Sequence, residues 1–127
     1  IRLSLVGSEM CIRDRGWLDS IDRLMQRVPG SALILPAHNE PFHGLHLRLE
    51  QLRASTVRGT DRVRQQLVQP LRVIDLVRAL YRSSIVAEQM HLNLSTGETL
   101  AHLNYLDQRA EIVSAEDEDG AMRYRLA

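Results

Sequence analysis

The stretch that decides the fold is Leu33-Ile-Leu-Pro-Ala-His-Asn-Glu-Pro-Phe-His-Gly-Leu-His-Leu-Arg-Leu49. It includes most of the continuous apolar run 32–35, which predicts a short strand buried on both faces. Pro36 ends that strand, and residues 36–44 are predicted to form a polar loop. A helical stripe of leucines then begins at Leu45. With the helix predicted over 17–28 ahead of them, this strand and loop predict the last unit of an α/β layer, although the chain offers no neighbouring strand nearby.

The loop contains the residue that we expect to carry chemistry, His38. Pro36 fixes the backbone just ahead of it, and Asn39 can adopt the left-handed conformation that a sharp turn requires. A rigidly held imidazole suits a catalytic metal, which also needs one position open to water. A histidine that merely caps the strand is the alternative. His43 and His46 are expected to be exposed or to line a substrate cleft, rather than to complete a zinc clip with His38.

The residues on either side of this loop show mostly helical periodicity. Apolar positions spaced by three and four predict helices over 17–28, from Leu45 to Pro70 with an interruption at Gly59, and over about ten residues from Val73. Ser95-Thr-Gly-Glu98 has the pattern of a capping box and predicts that a helix begins there and ends near residue 110.

Two strand-like segments follow, at 112–113 and 122–126, separated by the acidic turn 116–120. Two helices and then a hairpin are the order of a winged helix. Within the last helix, His102 falls between core positions and is interpreted as a partly packed structural histidine. His91 is predicted to lie in a loop. The tyrosines are expected to lie at the edge of the core (Tyr81, Tyr105 and Tyr124).

Residues 33–49 resemble the last metal-ligand loop of the metallo-β-lactamase-fold hydrolases. In that family a buried strand ends in a Pro-x-His-Gly-type turn, followed by Pro-Phe, Gly-Leu and an Arg-bearing helix; Asn39 departs from the family's usual glycine. Residues 97–106 are similar to the Ala-His-Leu helix of the family's winged-helix extension, and 119–124 to its wing. The resemblance covers residues 16–127.

The resemblance implies an α+β, mostly helical chain. Residues 16–50 would be the final helix–strand unit of an αββα sandwich, at its carboxy-terminal edge, and 51–127 a winged-helix-like domain. The intact parent would be a bacterial hydrolase holding two divalent ions, zinc by expectation, with His38 as one ligand. Metal-bound hydroxide would attack an ester, thioester, lactone or phosphodiester in a small-molecule substrate. The catalytic and substrate-binding residues stay unassigned.

The ligands that the family takes from a His-x-His-x-Asp-His motif are missing from this sequence. One imidazole cannot hold zinc in water, so the fragment alone is predicted to be inactive and free of bound zinc. Residues 1–15 fit nothing downstream. The segment 5–14 resembles the translation of a sequencing adapter, so residues 1–15 are interpreted as an artefact; a genuine short strand is the alternative.

Composition narrows the remaining classes of function. The 127 residues carry 16 basic and 16 acidic side chains, and nucleic-acid binders usually carry a basic surplus. The alternative to the hydrolase is a free-standing winged-helix module that binds DNA or protein. Glu98, Asp107 and the acidic turn weigh against DNA because they repel phosphate. No apolar stretch approaches the roughly 20 residues that span a bilayer. We expect a cytoplasmic protein without a membrane partner, and leave a homodimer open.

Overall fold

The computed structural model describes residues 14–81 and 88–127, without the side chains of residues 14 and 15. Helices α1 (Asp14–Arg27), α2 (Leu45–Gln66), α3 (Val73–Leu80) and α4 (Gln89–Gln108) precede strands β1 (Ile112–Glu116) and β2 (Met122–Leu126). The prediction of a mostly helical chain with a small sheet is therefore confirmed. Of residues 1–15, which the sequence analysis interprets as an artefact, residues 1–13 lie outside the described part. The domain boundaries remain a prediction.

Strands β1 and β2 form an antiparallel hairpin in which Ile112 pairs with Leu126 and Glu116 with Met122. The turn between them contains Gly120 at φ 75°. Leu71, just ahead of α3, makes an additional bridge to Tyr124 in β2, with both backbone hydrogen bonds at 2.9 Å. The hairpin is thus joined to the connection between α2 and α3 as well as to α4.

Two apolar clusters hold the elements together. The larger, the carboxy-terminal cluster, is formed by buried side chains of α2, α3, α4 and β1 and by Leu67 (Val63, Leu67, Leu76, Leu103, Leu106 and Ile112). The smaller, the amino-terminal cluster, joins α1 to the first turns of α2 (Ile21, Leu45 and Leu49). Since burial of apolar surface is the main driving force of folding, α2 is the element on which both halves depend.

The predicted strand at 32–35 is reduced to a single bridge, in which Ile34 pairs with Phe42. Ile34 packs against the amino-terminal cluster. Leu33 and Leu35 are 57% and 75% exposed, so the expectation that both faces are buried is wrong for this chain. The backbone groups of a buried strand need a neighbouring strand to bind. Among the described residues, only Phe42 pairs with this segment.

The predicted break of α2 at Gly59 is also wrong, because the helix continues to Gln66. The pattern at 95–98 does not open a helix either, since α4 already begins at Gln89 and therefore also contains His91. The hydroxyl of Ser95 donates to the carbonyl oxygen of His91 at 2.6 Å. Serine and threonine hydroxyls make the same bond to the preceding turn inside a helix, so here the pattern lies within α4.

Candidate functional site

Backbone hydrogen bonds close the loop that holds His38, and its backbone turns sharply at Asn39. Backbone hydrogen bonds of 2.8 and 3.1 Å join Ile34 and Phe42, so the seven residues between them form a closed excursion. Asn39 has φ 72°, which confirms the predicted left-handed conformation. Gly44 has φ 87° and precedes the first residue of α2. Both ends of the loop are therefore fixed by backbone geometry.

His38 lies on this loop with its side chain exposed, one residue before the turn at Asn39. Pro36 restricts the backbone two residues earlier. The arrangement presents an imidazole to solvent from a segment with few alternative conformations. Such an imidazole has little conformational entropy left to lose when it binds an ion, which favours its use as a metal ligand.

His46 is a structural residue, contrary to the expectation that it would be exposed or line a cleft. It is half-buried, and its Nε2 donates to the carbonyl oxygen of Val28 at 2.8 Å. A Cβ added at Gly30 would lie 3.4 Å from His46 Nδ1, an ordinary contact, so the ring lies against this glycine without depending on it. His46 therefore ties the first turn of α2 to the end of α1. Residue spacing alone does not indicate this contact.

The described residues do not by themselves fit a metal centre. Among residues 14–81 and 88–127, no group of three histidine, cysteine, aspartate or glutamate side chains is placed to hold an ion. His38, His43 and His46 do not form such a group in the described part of the chain. A catalytic zinc needs three protein ligands, so His38 is at most one member of a set completed elsewhere.

A second group of polar residues lies between α2 and α4. His102 is only 4% exposed, which confirms its interpretation as a structural histidine. Thr60 Oγ1 lies 3.0 Å from His102 Nδ1 and donates its own proton to the carbonyl oxygen of Thr56. Since a hydroxyl has one proton, Nδ1–H of His102 is the donor to Thr60. The other ring nitrogen, Nε2, lies 3.9 Å from Glu98 Oε1.

Tyr81 extends this group to the end of α3, because its hydroxyl donates to Glu98 Oε2 at 2.8 Å. The neighbouring imidazole of His102, and then the hydrogen bond from Tyr81, hold the pKa of Glu98 below its ordinary value, although partial burial opposes the shift. Burial, and then the bond to Glu98, raises the pKa of the Tyr81 phenol. A phenol that stays protonated and a carboxylate that stays charged form a stable donor–acceptor pair, not an acid–base couple poised near neutral pH.

Gly59 explains how α2 and α4 approach each other at this point. A Cβ at Gly59 would lie 2.5 Å from His102 Nε2 and 2.8 Å from its Cε1. Side-chain atoms do not approach this closely, so the absence of a Cβ is what admits the imidazole. Gly59 therefore affects how α2 and α4 pack and does not interrupt α2.

The remaining charged clusters are structural. Glu111 binds both Arg64, at 2.7 Å, and Arg109, whose guanidinium also lies 5.6 Å from the centre of the Tyr105 ring. In the hairpin turn, Asp117 Oδ1 accepts the backbone N–H of Asp119 at 3.0 Å. The other acidic residues of the predicted solvated turn 116–119 are exposed. All three tyrosines are partly buried, as expected for the edge of the core.

Two solved structures are similar to this chain over most of its length. A beta-lactamase domain protein from Burkholderia ambifaria superposes with a TM-score of 0.79 at 32% identity, over 87% of this chain and 32% of that one. A metallo-beta-lactamase family protein from Thermus thermophilus superposes with a TM-score of 0.69 at 24% identity, over the same 87% and 32%. At that identity, the second likeness shows the fold alone. The chain thus spans about a third of the length of either protein, and its fold is that of metallo-beta-lactamase proteins.

The family follows from the sequence itself. Residues 60–127, more than half of the chain, match the profile of the metallo-beta-lactamase-like C-terminal domain, and the chain belongs to that family. The predicted resemblance is thereby confirmed. The comparison with curated proteins gives no match. Among the described residues, no helix is both long and apolar enough to cross a membrane.

Proposed function

We propose that this chain is the carboxy-terminal part of a metal-dependent hydrolase in which His38 supplies one ligand of the metal centre. The observation that supports the role of His38 is its exposed position on a loop closed by the Ile34–Phe42 bridge and turned at Asn39. Proteins of this fold are generally hydrolases that bind metal ions such as zinc. The other ligands would come from the part of the intact protein that the matched structures possess and this chain does not cover.

The proposed reaction is the hydrolysis of an ester, thioester, lactone or phosphodiester in a small-molecule substrate, with two zinc ions in the intact protein. The described residues contribute one candidate ligand, so no metal-dependent step belongs to this chain alone. We therefore expect the isolated chain to be inactive. Its isolated imidazole would bind zinc only weakly, because a stable site needs several ligands at once.

The experiment has two parts, of which the first is metal analysis of the purified chain. After dialysis, the purified protein should contain well under one zinc per chain, and His38→Ala should not change that value. Tightly held stoichiometric zinc would contradict the proposal.

The coding sequence upstream of this chain tests the proposal independently, because an intact reading frame without a His-x-His-x-Asp-His motif would exclude the proposed metal centre.

The second part uses the intact protein encoded by that frame. His38→Ala should lower its zinc content by about one ion per chain and reduce hydrolysis of a chromogenic ester by about a hundredfold or more, as expected for loss of a metal ligand. His43→Ala is the matched control, since it removes an exposed histidine from the same loop. Equal zinc content in the two variants would refute the role of His38.

We further propose that the carboxy-terminal helices and hairpin form a winged-helix-like domain that does not bind DNA. The bridge from Leu71 to Tyr124 supports this, because it adds a third short strand to the hairpin. Exposed Glu98 and Asp107 on α4 make that helix unfavourable for phosphate contacts. Fluorescence anisotropy with a labelled DNA duplex at low salt should show no binding; salt-sensitive binding would contradict the proposal.

A further inference from the structure

One edge of the hairpin has no strand beside it. Strand β2 lies between β1 and Leu71, which binds both the N–H and the C=O of Tyr124. Within the described part of the chain, β1 pairs only with β2. An unpaired strand edge is a template for pairing with another chain, and many proteins protect such edges with lysine or proline. Residues Ile112–Glu116 contain neither, and all of them after Ile112 are exposed.

The backbone groups at this free edge follow from the pairing within the hairpin. In an antiparallel strand the N–H and C=O of one residue point to the same edge, and neighbouring residues alternate. Tyr124 directs both of its groups to Leu71, so its partner in β1, Ser114, directs both of its own away from β2. Ile112 and Glu116 lie two residues to either side and point the same way. Strand β1 therefore presents the N–H and C=O of these three residues to its free edge.

We propose that this chain forms a homodimer in which β1 pairs in antiparallel fashion with β1 of a second copy, centred on Ser114. In this register Ser114 faces its own counterpart, and Ile112 faces Glu116 of the second copy. Every N–H and C=O of the two free edges then has a partner, whereas a register shifted by two residues would leave some unpaired. The same register sets Val113, which is 39% exposed, directly opposite Ala115 of the second copy.

The distribution of charge along the hairpin favours a second copy as the occupant. The turn end carries exposed acidic side chains (Glu116, Glu118 and Asp119). The opposite end carries two exposed guanidinium groups, those of Arg109 and Arg125. Antiparallel pairing sets the acidic turn of one copy beside the basic end of the other, so the charges attract. Parallel pairing would set like charges side by side. The hairpin is thus complementary to itself in the antiparallel arrangement.

Sedimentation equilibrium of the full 127-residue chain tests the proposal. We expect a concentration-dependent equilibrium between monomer and dimer. Ser114→Pro removes an N–H that points away from β2, so the hairpin keeps its own hydrogen bonds while each dimer loses two. The dissociation constant should rise by about thirtyfold or more. Ser114→Ala is the matched control, because it removes the hydroxyl and keeps the N–H, and it should leave the dimer intact. A monomer at every concentration up to about 1 mM, or equal effects of the two variants, would overturn the proposal.

Disulfide cross-linking tests the register without a proline in the strand. In a Cys11→Ser background, Ser114→Cys should give a covalent dimer on mild oxidation, because facing Cα atoms of a hydrogen-bonded pair lie about 5.5 Å apart. Val113→Cys is the matched control. Its counterpart lies diagonally across the pair at about 7–8 Å, so it should cross-link far more slowly. Equal cross-linking of both variants would indicate parallel pairing and overturn the proposal, as would no cross-linking of Ser114→Cys.

A last variant separates a second copy from another occupant of the edge. A chain lacking residues 1–13 should dimerise as well as the full chain; loss of the dimer would overturn the proposal in favour of that segment. None of these measurements involves zinc or DNA. Failure of the dimer therefore leaves the metal assignment of His38 untouched, and failure of that assignment leaves the dimer untouched.

Discussion

Replacing Gly59 by alanine tests the contact between α2 and α4 at a single atom. The new Cβ would lie 2.5 Å from Nε2 of His102, well inside normal contact distance. The imidazole is buried and its Nδ1 is held by Thr60 at 3.0 Å, so it cannot swing aside without breaking that bond. One added methyl group must therefore move the ring, the helices or both.

The sign of the effect comes from two opposing contributions. Alanine is favoured over glycine inside a helix by about 1 kcal/mol. Overpacking a buried contact costs about 1–3 kcal/mol, and disturbing the hydrogen bond to Thr60 adds about 1 kcal/mol. We expect Gly59→Ala to lower the free energy of unfolding by about 1–3 kcal/mol, since the packing cost exceeds the helix gain.

A double-mutant cycle measured by urea unfolding separates these contributions. In a His102→Ala background the ring is absent, so Gly59→Ala should stabilise the protein by about 1 kcal/mol, which reverses the sign. Ser55→Ala, at an exposed position of the same helix, controls for helix propensity and should give a gain of a few tenths of a kcal/mol. A stabilising Gly59→Ala in the parent chain, or an unchanged effect without His102, would refute the reasoning.

Three other predictions address the acid stability and the loop. The neighbouring His102, and then the hydrogen bond from Tyr81, lower the pKa of Glu98. The stability that this carboxylate contributes is therefore present above its ordinary pKa of 4.5 and is lost as the pH falls through the lowered pKa. Glu98→Gln should therefore flatten the loss of stability below about pH 4.5 in acid unfolding followed by circular dichroism; an unchanged slope contradicts this. Asn39→Gly should be tolerated, whereas Asn39→Val should cost about 1–2 kcal/mol in urea unfolding because φ is 72°; equal stability would exclude left-handed strain. His46→Ala should cost about 1 kcal/mol and speed amide exchange at residues 29–44, since it removes the bond to Val28; unchanged exchange would show that this bond does not hold the loop.

Periodicity predicts α3 and the hairpin well because their apolar residues face a cluster within the chain. The spacing of Val73, Val77 and Leu80 predicts a helix of about the length that α3 has. The alternation Met122, Tyr124 and Leu126 likewise predicts β2. Their partners are present among the described residues, so the sequence pattern and the observed burial agree.

The errors fall where a residue type has two uses that the sequence does not distinguish. Gly59 is compatible with a helix break or with a close helix crossing, and only the position of His102 decides between them. Ser95 is compatible with a helix start or with a bond to the preceding turn inside a helix. His46 offers the same imidazole to a metal or to a carbonyl, and the deciding partner lies 18 residues away. Each choice depends on a tertiary neighbour, which spacing does not contain.

Helix α2 links these separate observations, because both clusters depend on it. Leu45 and Leu49 pack with α1 beside the His38 loop, while Val63 lies in the carboxy-terminal cluster. Twenty-two residues of unbroken helix extend about 33 Å, so a single element follows the His38 loop and packs against α4 at Gly59 and Thr60. A break at Gly59 would uncouple them. Instead α2 is continuous, and the glycine lets α4 pack closely against it through His102.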